Sequence, residues 1–251
     1  MLKRTAITAM AAAAVIGLTA AGPAQADSVA SFYKGKNLTF LVGYSAGGSY
    51  GFYARLVAQH MSKYIPGKPN IIVQHRPGGG GSKAANYFYK KSPRDGSVLA
   101  FLADALPVAQ LLRPKKMKYD GRQMIWIGSI VPVNPVIVVR KGAPENTVEG
   151  LLKNPINVGC SGRGSQSYIM PAMLRNVVGF KWKLICGYKG SAPQTLAMLR
   201  GEVDAQSSAW ISWKIRHWDA IQSGKFKPVV QVGLRREKEL FITRGKLLQK
   251  K

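Results

Sequence analysis

Acidic side chains are scarce in this chain: 11 Asp and Glu stand against 37 Lys and Arg, a formal charge of +26. Carboxylates so few, and scattered singly, argue against a metal centre of clustered acids and against paired general acid–base work. Histidine is scarcer still. His60, His75 and His217 lie far apart, with no H-x-x-x-H pair and no G-x-S-x-G nucleophile turn beside them. Cysteine occurs only as Cys160 and Cys186, and without C-x-x-C spacing a zinc or redox role has no support. Two buried thiols are the plainer reading of this pair. A disulfide between neighbouring strand ends is the sharper one, which an oxidising compartment would permit.

The basic excess favours anionic partners. It is dispersed, apart from clusters at 113–118, 235–238 and 244–251, and no RNP-type strand, zinc-finger spacing or basic zipper accompanies it. A solvated basic surface is therefore expected, not a nucleic-acid interface. At the N-terminus, Met1-Leu2-Lys3-Arg4 is a short basic region, 9–21 is small and apolar, and Ala24-Gln25-Ala26 is an A-x-A site. This pattern predicts a signal peptide over 1–26, cleaved after Ala26, and export to the periplasm. Neither this stretch nor any other is long enough to span a bilayer.

What the chain has in quantity is glycine, placed at strand-to-helix turns. Leu38–Val42 runs into Tyr44-Ser45-Ala46-Gly47-Gly48-Ser49, and Ile71–Gln74 into Pro77-Gly78-Gly79-Gly80-Gly81-Ser82. Glycine lets backbone approach a ligand, and the helix that follows presents unpaired N–H groups at the positive end of its dipole. Such turns suit a small anion. Neither continues as Gly-Lys-Ser/Thr, and neither forms a full G-x-G-x-x-G followed by a ribose-binding acid, so nucleotide binding is disfavoured. No cofactor is expected.

With a helix at 50–64, another at 82–91 and a strand at 97–102, the first part reads β-α-β-α-β, which implies an α/β fold with a mostly parallel sheet and ligands beyond the strands' carboxyl ends. Extended runs at 125–128 and 135–140 look like a crossing into a second lobe. There the rhythm restarts: helix 147–152, strand 156–160, helix 167–178, strand 182–186, helix 193–199, strand 203–207, helix 211–222. A final strand, 227–234, could return to the first lobe. The expected division is 27–130 plus 225–251 for lobe 1 and 131–224 for lobe 2. Two more polar turns, 160–166 and 187–191, separate strand from helix in lobe 2, so four such turns could converge on one cleft. Asp104 and Asp204 each follow a strand-like run and could reach it.

The order of these motifs resembles the periplasmic solute-binding proteins of tripartite tricarboxylate transporters, the TctC or Bug family. Gly47-Gly48-Ser49-Tyr50-Gly51-Phe52-Tyr53-Ala54-Arg55 is similar to the family's GG-x-x-D-x-x-AR element, Gln74-His75-Arg76-Pro77-Gly78-Gly79-Gly80 to its V-x-N-x-PGAGG turn, and Ser92-Pro93-Arg94-Asp95-Gly96-Ser97 to its A-P-DG-T strand entry. Residues 187–191 and 200–204 continue the match.

The resemblance implies a periplasmic-binding-protein-like fold of type II, a Venus flytrap of two parallel-sheet lobes joined by crossing strands. It also implies a monomeric receptor, not an enzyme, that captures a small organic carboxylate without metal and delivers it to membrane subunits of such a transporter. Carried over by position, Ser45, Ala46, Gly47, Gly48 and Ser49 would form the first anion turn, with Gly80, Gly81 and Ser82 beside it. From lobe 2, Ser161, Gly164, Ser165 and Gln166 would close over the ligand, with Tyr188 and Asp204 at the rim. Tyr44, Tyr50 and Trp210 would pack either on the solute or in the core.

Two departures stand out. The family's acid is Gly51 here, so Gly51→Asp is expected to stabilise the first helix. After Leu234 the family pattern continues into a long C-terminal segment, whereas 239–251 reads as a truncated ending. The competing readings are a degenerate fragment of such a receptor that no longer binds and, more remotely, an enzyme or a nucleic-acid binder.

Overall fold

The computed structural model describes residues 24–234 and 236–240. The basic run 244–251 and most of the predicted signal lie outside them. Helix α1 (Ala24–Tyr33) leads into β1 (Asn37–Val42), α2 (Ser49–Met61), β2 (Asn70–His75), α3 (Ser82–Lys91) and β3 (Val98–Phe101), followed by a short α4 (Leu106–Leu112). The three strands form a parallel sheet in the order β2-β1-β3. This is the expected β-α-β-α-β unit, and it places both glycine turns at the carboxyl ends of their strands.

The second sheet begins with β4 (Pro135–Arg140). Then follow α5 (Val148–Lys153), β5 (Ile156–Cys160), α6 (Gln166–Val177), β6 (Trp182–Cys186), α7 (Ser191–Leu199), β7 (Ala205–Ala209), α8 (Trp210–Gln222) and β8 (Phe226–Gln231). The spatial order is β6-β5-β7-β4-β8. β5, β6 and β7 are parallel, whereas β4 runs antiparallel to both its neighbours. The expected second parallel sheet is therefore mixed.

The apolar run of β4 explains its central place. Val136 and Val138 pack into one core with Met198, Trp210, Trp213 and Phe226, while Ile137 and Val139 pack into another with Leu151, Val158, Phe180 and Trp182. Alternate side chains point to opposite faces, so a strand covered on both has no polar position. Each such fully buried aliphatic side chain contributes about 1.5–3 kcal/mol.

Three sequence expectations are corrected here. Residues 125–128 form no strand; Ile125 and Ile127 are largely exposed. The last strand, 226–231, does not return to the first sheet, because it pairs with β4. The residues after it stay with lobe 2: Leu240 is buried against Trp210 and Trp213, and Glu239 accepts from Trp210 Nε1 at 3.2 Å and from Lys214 Nζ at 2.7 Å. The described part of 225–251 thus packs on the second lobe, since β4 offers an antiparallel edge directly beside the end of α8.

Asp204, expected at the cleft rim, sits just before β7, at the end of the strand remote from the cleft. Its carboxylate accepts from Arg140 Nη2 at 2.7 Å and from the Asn157 amide at 2.9 Å, tying β4, β5 and β7 together. Removing the charge leaves a half-buried guanidinium short of its partner. Asp204→Ala is expected to lower stability by about 2–4 kcal/mol in denaturant titration, with no change in ligand affinity for the molecules that remain folded. A loss of affinity at unchanged stability would return this residue to the site.

Candidate functional site

Four turns meet between the sheets. In lobe 1, the buried Tyr44 hydroxyl donates to Gly80 O at 3.1 Å and so pins the first glycine turn to the second. Gly80 and Gly81 hold φ of +67° and +94°, a region that side chains with a Cβ rarely adopt. In lobe 2, β5 feeds the turn 161–165 into α6, and β6 feeds the turn 187–190 into α7. The turns touch across the divide. Ser45 N donates to Lys189 O at 2.9 Å, and Ser49 N donates to Ser191 Oγ at 3.2 Å, with the two hydroxyls 3.3 Å apart. A Cβ at Gly80 would stand only 2.7 Å from Ser165 N.

Beside these contacts lies a cavity of about 580 Å³. One end is polar and built largely from lobe 2, where Ser161, Gln166, Ser167, Ser191, Gln194, Gln206 and Ser207 gather around Ser49. The rest of the lining is mainly apolar, with Phe40, Val57, Met61, Leu99 and Phe101 together with 124–131 and Val133.

The polar end is held in place by its own hydrogen bonds. Gln194 Nε2 donates to Ser161 Oγ at 2.9 Å, Ser161 N donates to Ser167 Oγ at 3.1 Å, and Ser167 Oγ lies 2.9 Å from Ser165 Oγ. Gln166 Nε2 donates to Ser207 Oγ at 3.2 Å, and Thr195 Oγ1 to Gln206 Oε1 at 2.9 Å. Such a network fixes hydroxyls and amides in place before a ligand arrives.

Of the residues expected at the site, Tyr44, Gly48, Ser49, Ser161 and Gln166 line the cavity. Others shape its walls from behind. Besides Ser45, Gly80 and Gly81, Ala46 O accepts from Arg55 Nη1 at 2.9 Å, Gly47 faces Ala192, and Ser82 Oγ donates to Gly79 O at 2.8 Å. Gly164 approaches Gly79 O, and Ser165 Oγ donates to Gly162 O at 2.7 Å.

Two are displaced from the cavity. Tyr188 packs with the core that contains Val203, and Asp204 serves the remote end of the sheet. Of the three aromatics, Tyr44 and Tyr50 line the cavity, and Trp210 is buried in the lobe 2 core. Burial pushes the Tyr44 and Tyr50 hydroxyls well above the ordinary phenol range, and the nearby Asp104 carboxylate adds to the effect.

The lining residues missed in the sequence include Ser167, Ser191, Gln194, Gln206 and Ser207. Ser191 has its signal in the turn 187–191, and Gln206 and Ser207 in the polar stretch Gln206-Ser207-Ser208 at the end of a strand; Ser167 and Gln194 have none.

Two further findings concern the frame of the site. Cys160 and Cys186 are bonded; they are register partners on β5 and β6 with Cα atoms 4.4 Å apart. Buried thiols, the plainer sequence reading, give way because register, which the sequence does not display, makes the two neighbours. Gly51 lies buried in the first turns of α2, where a Cβ would stand 2.1 Å from Ala46 O. The first glycine turn occupies the space in which the family's acid was expected to fit.

Against known proteins, the model of the tripartite tricarboxylate transporter family receptor matches residues 53–241. The chain belongs to this family. The UPF0065 protein in the gbd 5' region of Cupriavidus necator is 30% identical to this receptor over 235 residues, covering 87% of this chain and 69% of that one. A second relative, from Agrobacterium vitis, is also 30% identical, and the match spans 50% of its length. Among solved structures, the periplasmic binding protein BugD superposes with a TM-score of 0.70 at 25% identity, over 81% of this chain and 68% of that one. MatC from Rhodopseudomonas palustris, solved with bound malate, superposes with a TM-score of 0.68 at 22% identity, over 80% and 68%. These superpositions identify the two-lobed, periplasmic-binding-protein-like fold. Among the described residues no helix is long and apolar enough to cross a membrane.

Proposed function

We propose that this receptor captures a small carboxylate between its lobes, in the periplasm, and presents it to membrane subunits of a tripartite tricarboxylate-type transporter. The observation that carries the reading is the meeting of Ser49, at the start of α2, with Ser191, at the start of α7, on the wall of one cavity. Both belong to helix starts, where backbone N–H groups and hydroxyls neutralise a carboxylate without a basic side chain. The malate in MatC agrees with this class of ligand. Export rests on the predicted signal over 1–26.

Isothermal titration of the mature protein against mono-, di- and tricarboxylates tests the proposal, and a binding acid should also raise the unfolding midpoint. Ser191→Ala is expected to weaken the bound acid by about 5- to 30-fold, equivalent to about 1–2 kcal/mol for one hydrogen bond to a charged group. If no small acid binds, the receptor reading falls; if Ser191→Ala binds as tightly as wild type, the carboxylate lies elsewhere.

A further inference from the structure

The cavity is unusual in its charge. In a chain with 37 Lys and Arg, no Lys, Arg or His among the described residues lines it, and the one carboxylate that does so among them is Asp104. Asp104 sits beyond β3, exposed toward the cavity yet closely surrounded by the tyrosines. Tyr50 hydroxyl donates to Asp104 Oδ1 at 3.0 Å, and the Asp104 amide donates back to that hydroxyl at 3.2 Å. The Tyr44 and Tyr50 rings lie 4.6 Å apart and back this arrangement. Among the described residues no ion pair reaches Asp104. The packing around the carboxylate raises its pKa by partial desolvation, and the hydrogen bonds from Tyr50 and from backbone amides offset part of that rise.

An unmet acceptor comes from lobe 2. Gln194 is 1% exposed, and its Nε2 is committed to Ser161 Oγ and, at 3.1 Å, to Gly190 O, while its Oε1 has no partner. A buried acceptor left unpaired is costly unless a ligand or water supplies a donor. The helix starts of α2 and α7 supply donors, which suit a carboxylate. Asp104 and Gln194 supply acceptors, which suit an ammonium group. A ligand of negative charge alone would meet Asp104 as a like charge in a poorly hydrated space.

We propose that the ligand is an amino carboxylate: its carboxylate lies at Ser49 and Ser191, and its ammonium group pairs with Asp104, the residue that selects amine-bearing acids over plain ones. This rests on the carboxylate-capture reading above and names the ligand class for the same cleft.

Matched acids that differ at one carbon test it: propanoate, lactate and alanine, then succinate, malate and aspartate, each titrated into the mature wild-type protein and into Asp104→Asn. In at least one triplet the wild type should prefer the amino member to the unsubstituted acid by about tenfold or more, the size of one charge-assisted contact. Asp104→Asn keeps the shape and the acceptor for Tyr50. It should bring that ratio close to unity, while the unsubstituted acid binds as tightly as before or more so. Should Asp104→Asn fail to fold, Tyr50→Phe serves instead. It frees Asp104 from its internal donor and should keep or sharpen the preference for the amine.

A wild-type protein that binds plain acids without preference, or an Asp104→Asn protein that keeps the preference, overturns the proposal and leaves carboxylate capture standing. Equal binding of 2-aminopropan-1-ol and alanine would overturn carboxylate capture and leave the ammonium contact standing. Failure to bind any of these compounds overturns both.

Discussion

A Gly80→Ala receptor is expected to lose at least about 30-fold in carboxylate affinity while both lobes remain folded. The added methyl would stand 2.7 Å from Ser165 N and 3.0 Å from Gly162 O, which are backbone atoms of the opposite lobe. No rotamer change relieves such an overlap, so the lobes must part. The positive φ of +67° adds about 1–2 kcal/mol of strain, but that falls on the open and closed forms alike and appears in stability. What appears in affinity is the lost closure, about 2 kcal/mol for a 30-fold effect. Calorimetry measures the first quantity, and small-angle scattering with and without ligand follows the parting of the lobes. Wild-type affinity with wild-type compaction would mean that the turns at 79–81 and 162–165 need not meet for capture.

Gly51→Asp should destabilise, contrary to the sequence expectation. An acid near a helix start gains about 0.3–1 kcal/mol from the dipole, and replacing glycine in a helix gains a comparable amount. Against this, the Cβ would lie 2.1 Å from Ala46 O and 2.6 Å from Ala46 C. Overpacking costs about 1–3 kcal/mol, and against backbone, which has no rotamer to yield, the upper end of that range applies. The net loss of about 1–2 kcal/mol corresponds to a fall of about 2–8 °C in the unfolding midpoint of a protein this size. The displaced turn carries Ser45 and Gly48, so affinity should fall too. A raised midpoint would mean that 44–48 yields easily and that the helix effect dominates.

Much of this fold is legible from residue order. The apolar run 135–140 reads as an extended segment leading into the second lobe, and the glycine turns mark strand ends; at 78–81 the left-handed backbone angles require glycine. Strand partners are less legible. Residues 226–231 are equally suited to either sheet by composition, and only packing on α8 and pairing with β4 decide between them. Register is similarly hidden, which is why the bond between Cys160 and Cys186 could be raised but not chosen. Asp204 and Asp104 look alike in sequence, each a lone acid beside a strand-like run. Arg140 and the Asn157 amide claim the first, and the second faces a cavity without a cation. Ser167, Gln194, Gln206 and Ser207 carry no motif, since any polar residue near a strand end has the same composition signal.

The link between Cys160 and Cys186 joins the strand ends from which both lobe 2 turns depart. Mechanically, the bond ties the two turns into one jaw, with Ser161 and Ser191 held at a fixed spacing. Closing a loop of 26 residues restricts the unfolded chain by about 3 kcal/mol, and the same restraint removes independent motion of the turns. A reductant should therefore lower the unfolding midpoint and also speed solute release, because each half of the jaw can then let go alone. Preorganisation in this receptor is in that sense a redox property.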